Sequence, residues 1–496
     1  MAYCGYVTTL KNVRPHSNAD RMKLADCFGN TICVGIDAAE GEIGVYFPTD
    51  GQLSVEYCAQ NDLVRRKDEN GNPAGGYLDP EKRNIRAIKL RGEKSDGLFM
   101  PLSSFAYTGV NFDEWTVGTP ITVVNGHEIC QKYIPHKASK SVAGGAGARV
   151  KRRAKRSIAP LFYEHKDTEQ LAYNLAAFKP GDEIEITLKM HGTSQRTAHI
   201  PVFKGYNDSF GCRAGNAIRH LLNKMGVYHG EDYHDGEPIY DWGYVTGTRR
   251  VVLDDFDGGF YGSNEFRKQH ADFFEGKLWK GETVYYEVVG FTHTGAPIMA
   301  SADNKKINDK EFAKMYGKET VFSYGCDPQG LREVHVCDEE GPYKTIIGSP
   351  KSDIYVYRMT MTNEDGEVVE YTPDFMRYRC EQMGVKTVPV MWKGTIPDAD
   401  DLNFKDYCLD VDGNYGLWVI KSFDTAGDYI KEVAEQFYDG PDPIGKTHVR
   451  EGVVVRILNR PTFTAYKHKN FSFKVLEGII KDTAETPDME EAQENL

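Results

Sequence analysis

Alternation of apolar and polar residues recurs along the chain and predicts many short β-strands. Ile184-Glu185-Ile186-Thr187-Leu188 is a clear example, because its apolar residues fall on every second position. Similar runs predict strands at 41–48, 85–90, 284–290, 354–359 and 453–457, and helical spacing predicts helices at 214–225, 309–315 and 429–437. The pattern therefore indicates an α+β protein with antiparallel sheets and flanking helices.

The order of these patterns predicts more than one domain. The chain has 496 residues, more than a single core usually supports. Residues 1–135 resemble an OB-like β-barrel, a small nucleic-acid-binding fold with short strands bounded by glycine and proline. A glycine- and alanine-rich run followed by Lys151-Arg152-Arg153-Ala154-Lys155-Arg156 predicts a flexible basic linker at 136–160. Residues 161–481 then form the larger domain, and 482–496 an acidic tail.

Candidate chemistry lies at the ends of three predicted strands. Lys189 closes the 184–188 run and is followed by His191 and Gly192, Glu451 precedes the 453–457 run, and Lys474 lies in 471–475, which we expect to be another strand. An amine, a carboxylate and a second cation are what covalent nucleotidyl transfer requires. The amine attacks an α-phosphate, the carboxylate holds a divalent metal, and the cation offsets charge in the transition state.

These three segments resemble motifs I, IV and V of the covalent nucleotidyltransferases, which include DNA ligases, RNA ligases and mRNA capping enzymes. The resemblance implies that Lys189 carries AMP, that Glu451 binds Mg²⁺ or Mn²⁺, and that Lys474 contacts the α-phosphate of ATP. His191 replaces the aspartate of DNA ligases and capping enzymes, so Lys-x-His-Gly resembles the RNA-ligase version and places His191 and Gly192 at the ATP site. Many ligases have two motif V lysines one residue apart, but Ser472 stands at that spacing from Lys474. Either one lysine suffices or Lys469 substitutes.

Other residues resemble the motifs that lie between these anchors. Arg249, in Thr246-Gly247-Thr248-Arg249, resembles an arginine that meets the nucleotide or the RNA 3′ end, and Glu287 resembles the motif III acid that contacts the ribose. Tyr355 and Tyr357 resemble the motif whose aromatic ring stacks on adenine. Alternation puts both tyrosines on one face of a strand, where either could instead belong to the core.

A sequence in the N-terminal part of the chain points to one family of RNA ligases. Arg91-Gly92-Glu93-Lys94-Ser95-Asp96-Gly97-Leu98-Phe99-Met100-Pro101-Leu102 resembles a sequence of the Deinococcus-type nick-sealing RNA ligases, which carry an OB-like domain before the nucleotidyltransferase domain. This implies an ATP-dependent RNA ligase that joins 3′-hydroxyl and 5′-phosphate ends in RNA repair. Its partner would be RNA or a nicked duplex containing RNA.

Alternatives remain open. A DNA ligase or a GTP-dependent capping enzyme would share the chemistry, although His191 and the leading barrel argue against both. A non-enzymatic RNA-binding adaptor would not need Lys189, Glu451 and Lys474 together.

Composition is compatible with these functions. The formal net charge is -13, with an acidic tail and the basic run at 151–156, which either clamps a phosphate backbone or is a solvated linker. We find no apolar span long enough for a bilayer, no signal-peptide pattern and no C-x-x-C pair among the 10 cysteines. We therefore expect a soluble, cytoplasmic protein with reduced thiols.

Overall fold

The computed structural model describes residues 3–67, 73–133, 158–165, 168–226, 232–253, 264–290, 352–398, 403–409, 415–444 and 449–483, with isolated positions and two short strands between 256 and 344. The predicted helix at 309–315, the basic run at 151–156 and the tail from 484 onward lie outside the described residues. Within them, no helix is long and apolar enough to cross a membrane.

The described helices lie mostly in the C-terminal part of the chain. They are α1 (Val55–Gln60), α2 (Phe210–Lys224), α3 (Glu265–Phe273), α4 (Pro373–Met383), α5 (Ala426–Tyr438) and α6 (Phe471–Thr483). The strands of residues 3–133, here called the N-terminal module, are β1 (Gly5–Thr9), β2 (Lys11–Pro15), β3 (Met22–Cys27), β4 (Asn30–Gly35), β5 (Ile43–Phe47), β6 (Gly51–Leu53), β7 (Arg65–Lys67), β8 (Pro73–Gly75), β9 (Ala87–Leu90), β10 (Glu93–Asp96), β11 (Leu98–Pro101), β12 (Pro120–Ile121), β13 (Val123–Val124), β14 (His127–Glu128) and β15 (Cys130–Lys132).

The remaining strands follow residue 158, in what we call the C-terminal region. They are β16 (Glu169–Gln170), β17 (Glu183–Leu188), β18 (Thr193–Tyr206), β19 (Pro238–Gly247), β20 (Val252–Leu253), β21 (Glu282–Gly290), β22 (Val336–Asp338), β23 (Gly341–Lys344), β24 (Ser352–Thr362), β25 (Val368–Glu370), β26 (Val390–Thr395), β27 (Asn403–Leu409), β28 (Tyr415–Ser422), β29 (Gly452–Ile457) and β30 (Thr464–Lys469).

The described strands of the N-terminal module pair as separate sheets. One sheet has the order β11-β5-β1-β12, another has the order β2-β3-β4, and the rest are two-stranded ladders. The predicted barrel is not seen as a closed ring of backbone pairing among them. One reason lies between β4 and β10, where the amide of Cys33 donates to the Ser95 hydroxyl at 3.1 Å. A side-chain oxygen there takes the place of a ladder carbonyl.

Two sheets form the centre of the C-terminal region. The five-stranded sheet has the order β16-β30-β29-β17-β26, and the six-stranded sheet has the order β20-β19-β18-β21-β24-β25. Apart from the parallel pair β16 and β30, the neighbours in both sheets are antiparallel. Helix α5 buries Ile430 and Val433 in the same apolar core as Ile184 and Val455. The predicted α+β fold with antiparallel sheets is confirmed.

One predicted element is wrong, because residues 471–475 begin helix α6 instead of forming a strand. The side chain of Asn470 accepts the amide of Ser472 at 2.7 Å, and its carbonyl accepts the amide of Lys474 at 3.0 Å. Asparagine is a favoured helix N-cap because its side chain satisfies an amide that the first turn leaves unpaired. This cap overrides the alternation of Phe471, Ser472 and Phe473.

Candidate active site

The antiparallel register of β17 and β29 brings Lys189 and Glu451 together. Leu188, the last residue of β17, pairs with Val453 near the start of β29. The amide of Lys189 then donates to the carbonyl of Gly452 at 3.0 Å. The two side chains, 262 positions apart in sequence by subtraction of their numbers, meet with Lys189 Nζ 2.5 Å from Glu451 Oε1.

Two glycines permit this close approach. A Cβ on Gly192 would lie 2.3 Å from the carbonyl oxygen of Val288 on β21. Gly452 has a φ of +147°, and a Cβ there would lie 2.1 Å from the carbonyl oxygen of His468 on β30. Since real Cβ atoms do not approach so closely, both turns next to the lysine and the glutamate require glycine.

Three side chains surround the carboxylate of Glu451. In addition to Lys189, His191 Nδ1 lies 3.2 Å from Oε2 and Lys469 Nζ lies 3.5 Å from Oε1. Glu451 is only 3% exposed. Burial alone would raise its pKa, but the positive charges of Lys189 and Lys469 and the hydrogen bond with His191 hold it well below its usual value. The carboxylate is therefore ionised at neutral pH and is a poor proton acceptor.

The lysines of β30 approach the site more directly than Lys474 does. Lys467 and Lys469 are two residues apart and so lie on one face of the strand. Lys467 pairs with Val454 of β29, which lines the space between the sheets, and Lys469 pairs with Gly452. Lys474 instead lies in the first turn of α6, where its Nζ is 2.6 Å from Asp96 Oδ2 of the N-terminal module. The geometry thus supports the alternative in which Lys469 supplies the second lysine of motif V.

A cleft opens between the two sheets beside Lys189. Its lining includes three further residues that the sequence predicted, Arg249, Glu287 and Tyr357. The hydroxyl of Tyr357 is 3.0 Å from that of Ser194, just after the Lys189 turn. Tyr355 is buried within an apolar cluster with Leu188 and Met190, whereas Tyr357 is only partly buried against that cluster and lines the cleft. Tyr357 is therefore the better placed of the two rings to contact a ligand.

Sequence reasoning missed several residues of the cleft. These residues have polar or aromatic side chains, and none of them was assigned a role from the sequence. They are His165, Thr168, Glu185, Arg377, Arg456 and Phe463. Arg377 pairs with Glu185 at 2.8 Å, so part of the polar lining is charge-balanced. The alternation of β17 and β29 marks Glu185 and Arg456 as members of the sheet, whereas no sequence pattern assigns Arg377 of α4 to the cleft.

Two fully buried arginines brace the residues around the cleft. Arg196 on β18 donates to the carbonyl of Thr248 at 2.6 Å and also to that of Arg249. Arg267 on α3 donates to the hydroxyl of Thr193 at 2.6 Å and to the carbonyl of Ser194 at 3.1 Å. Both are under 2% exposed. These charged hydrogen bonds, three to backbone carbonyls and one to the Thr193 hydroxyl, fix the loop of Arg249 and the turn after Lys189.

The donor set at the Lys189 end suits a hard divalent cation. Glu451 offers a buried, ionised carboxylate, and Mg²⁺ and similar ions take oxygen ligands, often one or two carboxylates plus phosphate oxygens. Asp208, Cys212 and Asp235 also lie close enough to one another to hold a metal. That group lies beside α2, outside the cleft lining, and hydrogen bonds to His234, Tyr233 and Ser209 engage its side chains.

Comparison with solved structures places this fold beside an RNA ligase. No protein-family model and no curated protein matches the sequence. The structure of Naegleria gruberi RNA ligase as a lysine-to-methionine mutant with AMP and Mn matches with a TM-score of 0.50 and 15% identity, over 95% of this chain and 98% of that one. The same ligase as a lysine-to-alanine mutant with ATP and Mn matches with a TM-score of 0.50 and 15% identity, over 97% and 98%. At this identity the likeness shows that the two chains share a fold.

Proposed function

We propose that this protein is an ATP-dependent RNA ligase that joins a 3′-hydroxyl to a 5′-phosphate through a lysyl-AMP intermediate. The observation that carries the proposal is the contact of Lys189 with the buried carboxylate of Glu451, 2.5 Å away, at the rim of a cleft lined by Glu287, Arg249 and Tyr357. The fold shared with a ligase whose structures hold ATP or AMP with Mn supports ATP and a divalent metal as cofactors.

Three transfers make up the reaction. Lys189 Nζ, once deprotonated, attacks the α-phosphorus of ATP, a P–N bond forms, and the bond to pyrophosphate breaks. An oxygen of the RNA 5′-phosphate then attacks the same phosphorus and Lys189 leaves. Finally the 3′-hydroxyl attacks the 5′-phosphate, and AMP departs with the electron pair of the broken anhydride bond.

The chain's own residues have separable tasks in this scheme. Glu451 would hold the metal, which when bound supplies positive charge to the phosphate oxygens. Lys467 and Lys469, which share one face of β30, would offset charge on the α-phosphate, the role that the sequence resemblance gave to Lys474. His191 orients Glu451 from 3.2 Å. Glu287 would accept hydrogen bonds from the ribose, and Tyr357 would stack on the adenine.

The N-terminal module would hold the nucleic-acid substrate. Its likeness to the Deinococcus-type nick-sealing enzymes rests on residues 91–102, and the basic run at 151–156 would add phosphate contacts. Sealing requires both ends to be held in line with the adenylylated phosphate, a positioning task that contributes strongly to rate. We infer that the substrate is a nicked duplex with an RNA 3′ end.

The test measures the sealing of nicked duplexes in which the 3′-hydroxyl end and the 5′-phosphate end at the nick are each either RNA or DNA. Each duplex is incubated with ATP or GTP and with Mn²⁺ or Mg²⁺. We expect sealing with ATP when the 3′ end is RNA. Equal sealing of an all-DNA nick would identify a DNA ligase, and labelling by GTP alone a capping-type enzyme. A chain that binds RNA but takes up neither nucleotide would be the non-enzymatic adaptor.

A further inference from the structure

An ion pair joins the N-terminal module to the helix that follows the β30 lysines. Asp96, at the end of β10, accepts from Lys474 Nζ of α6 at 2.6 Å. The side chains of Lys474 and Asp96 are 17% and 9% exposed. Because water is largely excluded from this contact, the pair is screened far less than a surface salt bridge, and loss of one partner leaves the other charge poorly solvated.

The aspartate is held firmly on its own side. The hydroxyl of Tyr46 donates to the carbonyl of Asp96 at 2.5 Å. The neighbouring Ser95 is fixed by the amide of Cys33. Next to the pair, Lys94 Nζ lies 5.3 Å from the ring centre of Phe471, the first residue of α6. These contacts anchor the backbone at Asp96, so the module presents the Asp96 carboxylate to the first turn of the helix from a fixed strand end.

That same turn touches the candidate active site. Phe473, adjacent to Lys474, packs its fully buried ring edge-on against His191 at 4.8 Å between ring centres. Asn470, the N-cap of α6, donates its amide to the carbonyl of Glu451 at 2.8 Å. A shift of this turn would consequently move both the imidazole and the backbone of the proposed metal ligand.

We propose that Asp96, acting through Lys474 and the first turn of α6, is a positioning residue for the adenylylation of Lys189. This inference rests on the proposed function and adds that the N-terminal module takes part in the first chemical step as well as in holding nucleic acid. It also assigns Lys474 to this contact instead of to the α-phosphate. Because the first turn of α6 contacts His191 and the backbone of Glu451, we expect the contact to govern the geometry of transfer and not the affinity for ATP.

The experiment measures the rate of enzyme–AMP formation against ATP concentration for the full-length wild type, Asp96→Asn, Asp96→Glu and the charge exchange Asp96→Lys with Lys474→Asp. Asp96→Asn should lower the maximal rate by about tenfold or more without a matching rise in the apparent KM for ATP, because small misplacements of reacting groups are costly. Asp96→Glu and the charge exchange should both recover most of the rate. Asp79→Asn is the matched control, since it breaks an ion pair with Arg65 that lies within the N-terminal module.

The outcomes separate this inference from the function on which it rests. A wild-type protein that takes up no AMP would refute the ligase function itself. An active wild type with an equally active Asp96→Asn variant would refute the positioning role. If the charge exchange fails while Asp96→Asn and Asp96→Glu both remain active, Lys474 acts on the phosphate and the positioning role of Asp96 is refuted. Equal losses in Asp96→Asn and Asp79→Asn, accompanied by equal losses of thermal stability, would mean that Asp96 is merely structural.

Discussion

Glu451 contacts the groups on which the proposed chemistry depends, Lys189, His191 and Lys469. Its pKa lies well below the usual range because the cationic side chains outweigh the cost of burial. Because its pKa is lowered, Glu451 is already fully ionised at pH values above the ordinary carboxyl pKa. It therefore stays ionised across the neutral range. If the rate of enzyme–AMP formation falls below pH 6, another group must be responsible.

Glu451→Gln keeps the shape of the side chain and removes its charge. We expect it to lower enzyme–AMP formation by about 100-fold or more, since removal of one charged group that stabilises a transition state typically costs this much. Raising the Mn²⁺ concentration should restore little of the rate. Gel measurement of protein-bound label checks this, with Glu381→Gln, an exposed residue of α4, as the control. A variant that labels at nearly the wild-type rate would place the metal elsewhere.

The lysines of β30 provide a second test at the scale of single residues. Lys467→Met and Lys469→Met should each reduce adenylylation by about 100-fold, because both cations lie on the face of β30 that meets the α-phosphate in our proposal. Lys393→Met is the matched control, a lysine of edge strand β26 in the same sheet. Full activity of both β30 variants would return the phosphate contact to Lys474.

The packing of α5 on β30 gives a prediction for an element. Glu435 of α5 lies 2.6 Å from Lys431 and 3.3 Å from His468 of β30. Burial opposes its ionisation, but His468 and Lys431 lower the pKa of Glu435 to about 2. A lowered folded-state pKa contributes stability that is complete above the ordinary value and is lost as pH falls toward the folded-state value.

Glu435→Gln should therefore reduce the free energy of unfolding at pH 7 and have a smaller effect at pH 3. Urea unfolding at the two pH values measures this difference. The exposed Glu381→Gln should change neither value. A Glu435→Gln effect that is equal at both pH values would show that the packing of the side chain matters and its charge does not.

Strands were the elements that the sequence predicted best. The runs at 184–188 and 453–457 became β17 and β29 because alternation of apolar side chains reflects a sheet with one buried face. Alternation misled at 471–475, where Asn470 caps a helix. An asparagine before an apolar run is a recognised helix-start signal, so the α6 boundary was available in the sequence.

The sequence predicted best the site residues that lie in a recognisable motif at the end of a strand. It predicted the site residues that lie elsewhere less well. Lys189, His191 and Glu451 meet because the register of β17 with β29 joins their strand ends. Lys469 was predicted only as a possible substitute in motif V, and Lys467 was overlooked. The contact of Arg377 with Glu185 depends on how α4 packs, which no local pattern encodes.

At the scale of the whole molecule, an aromatic cluster joins the two regions. Tyr173 of the C-terminal region stacks on Tyr6 at 4.9 Å between ring centres and meets Phe28 edge-on at 5.5 Å. Tyr46 adds a tilted contact at 6.3 Å. Removal of the N-terminal module would expose Tyr173 and Phe471. For this reason, point variants test the function of the module more cleanly than a fragment that begins near residue 158.

Tyr173→Ala should weaken this junction. Loss of a large aromatic side chain and its ring contacts should cost about 2 kcal/mol or more of stability, and sealing should fall along with it. Thermal unfolding and limited proteolysis between the regions measure the effect. Tyr163→Ala, at a residue that is 43% exposed, is the control. Unchanged unfolding of Tyr173→Ala would mean that the cluster does not hold the regions together.

The most direct measurement is the site of covalent AMP attachment. The protein is incubated with α-labelled ATP and Mn²⁺, denatured and digested, and the labelled peptide is identified by mass. We predict one AMP on Lys189 through an acid-labile P–N bond, with release of pyrophosphate, and no label on Lys189→Ala; Lys268→Ala, an exposed lysine of α3, should label normally. Label retained by denatured Lys189→Ala, or a wild-type protein that takes up no AMP, would contradict the account.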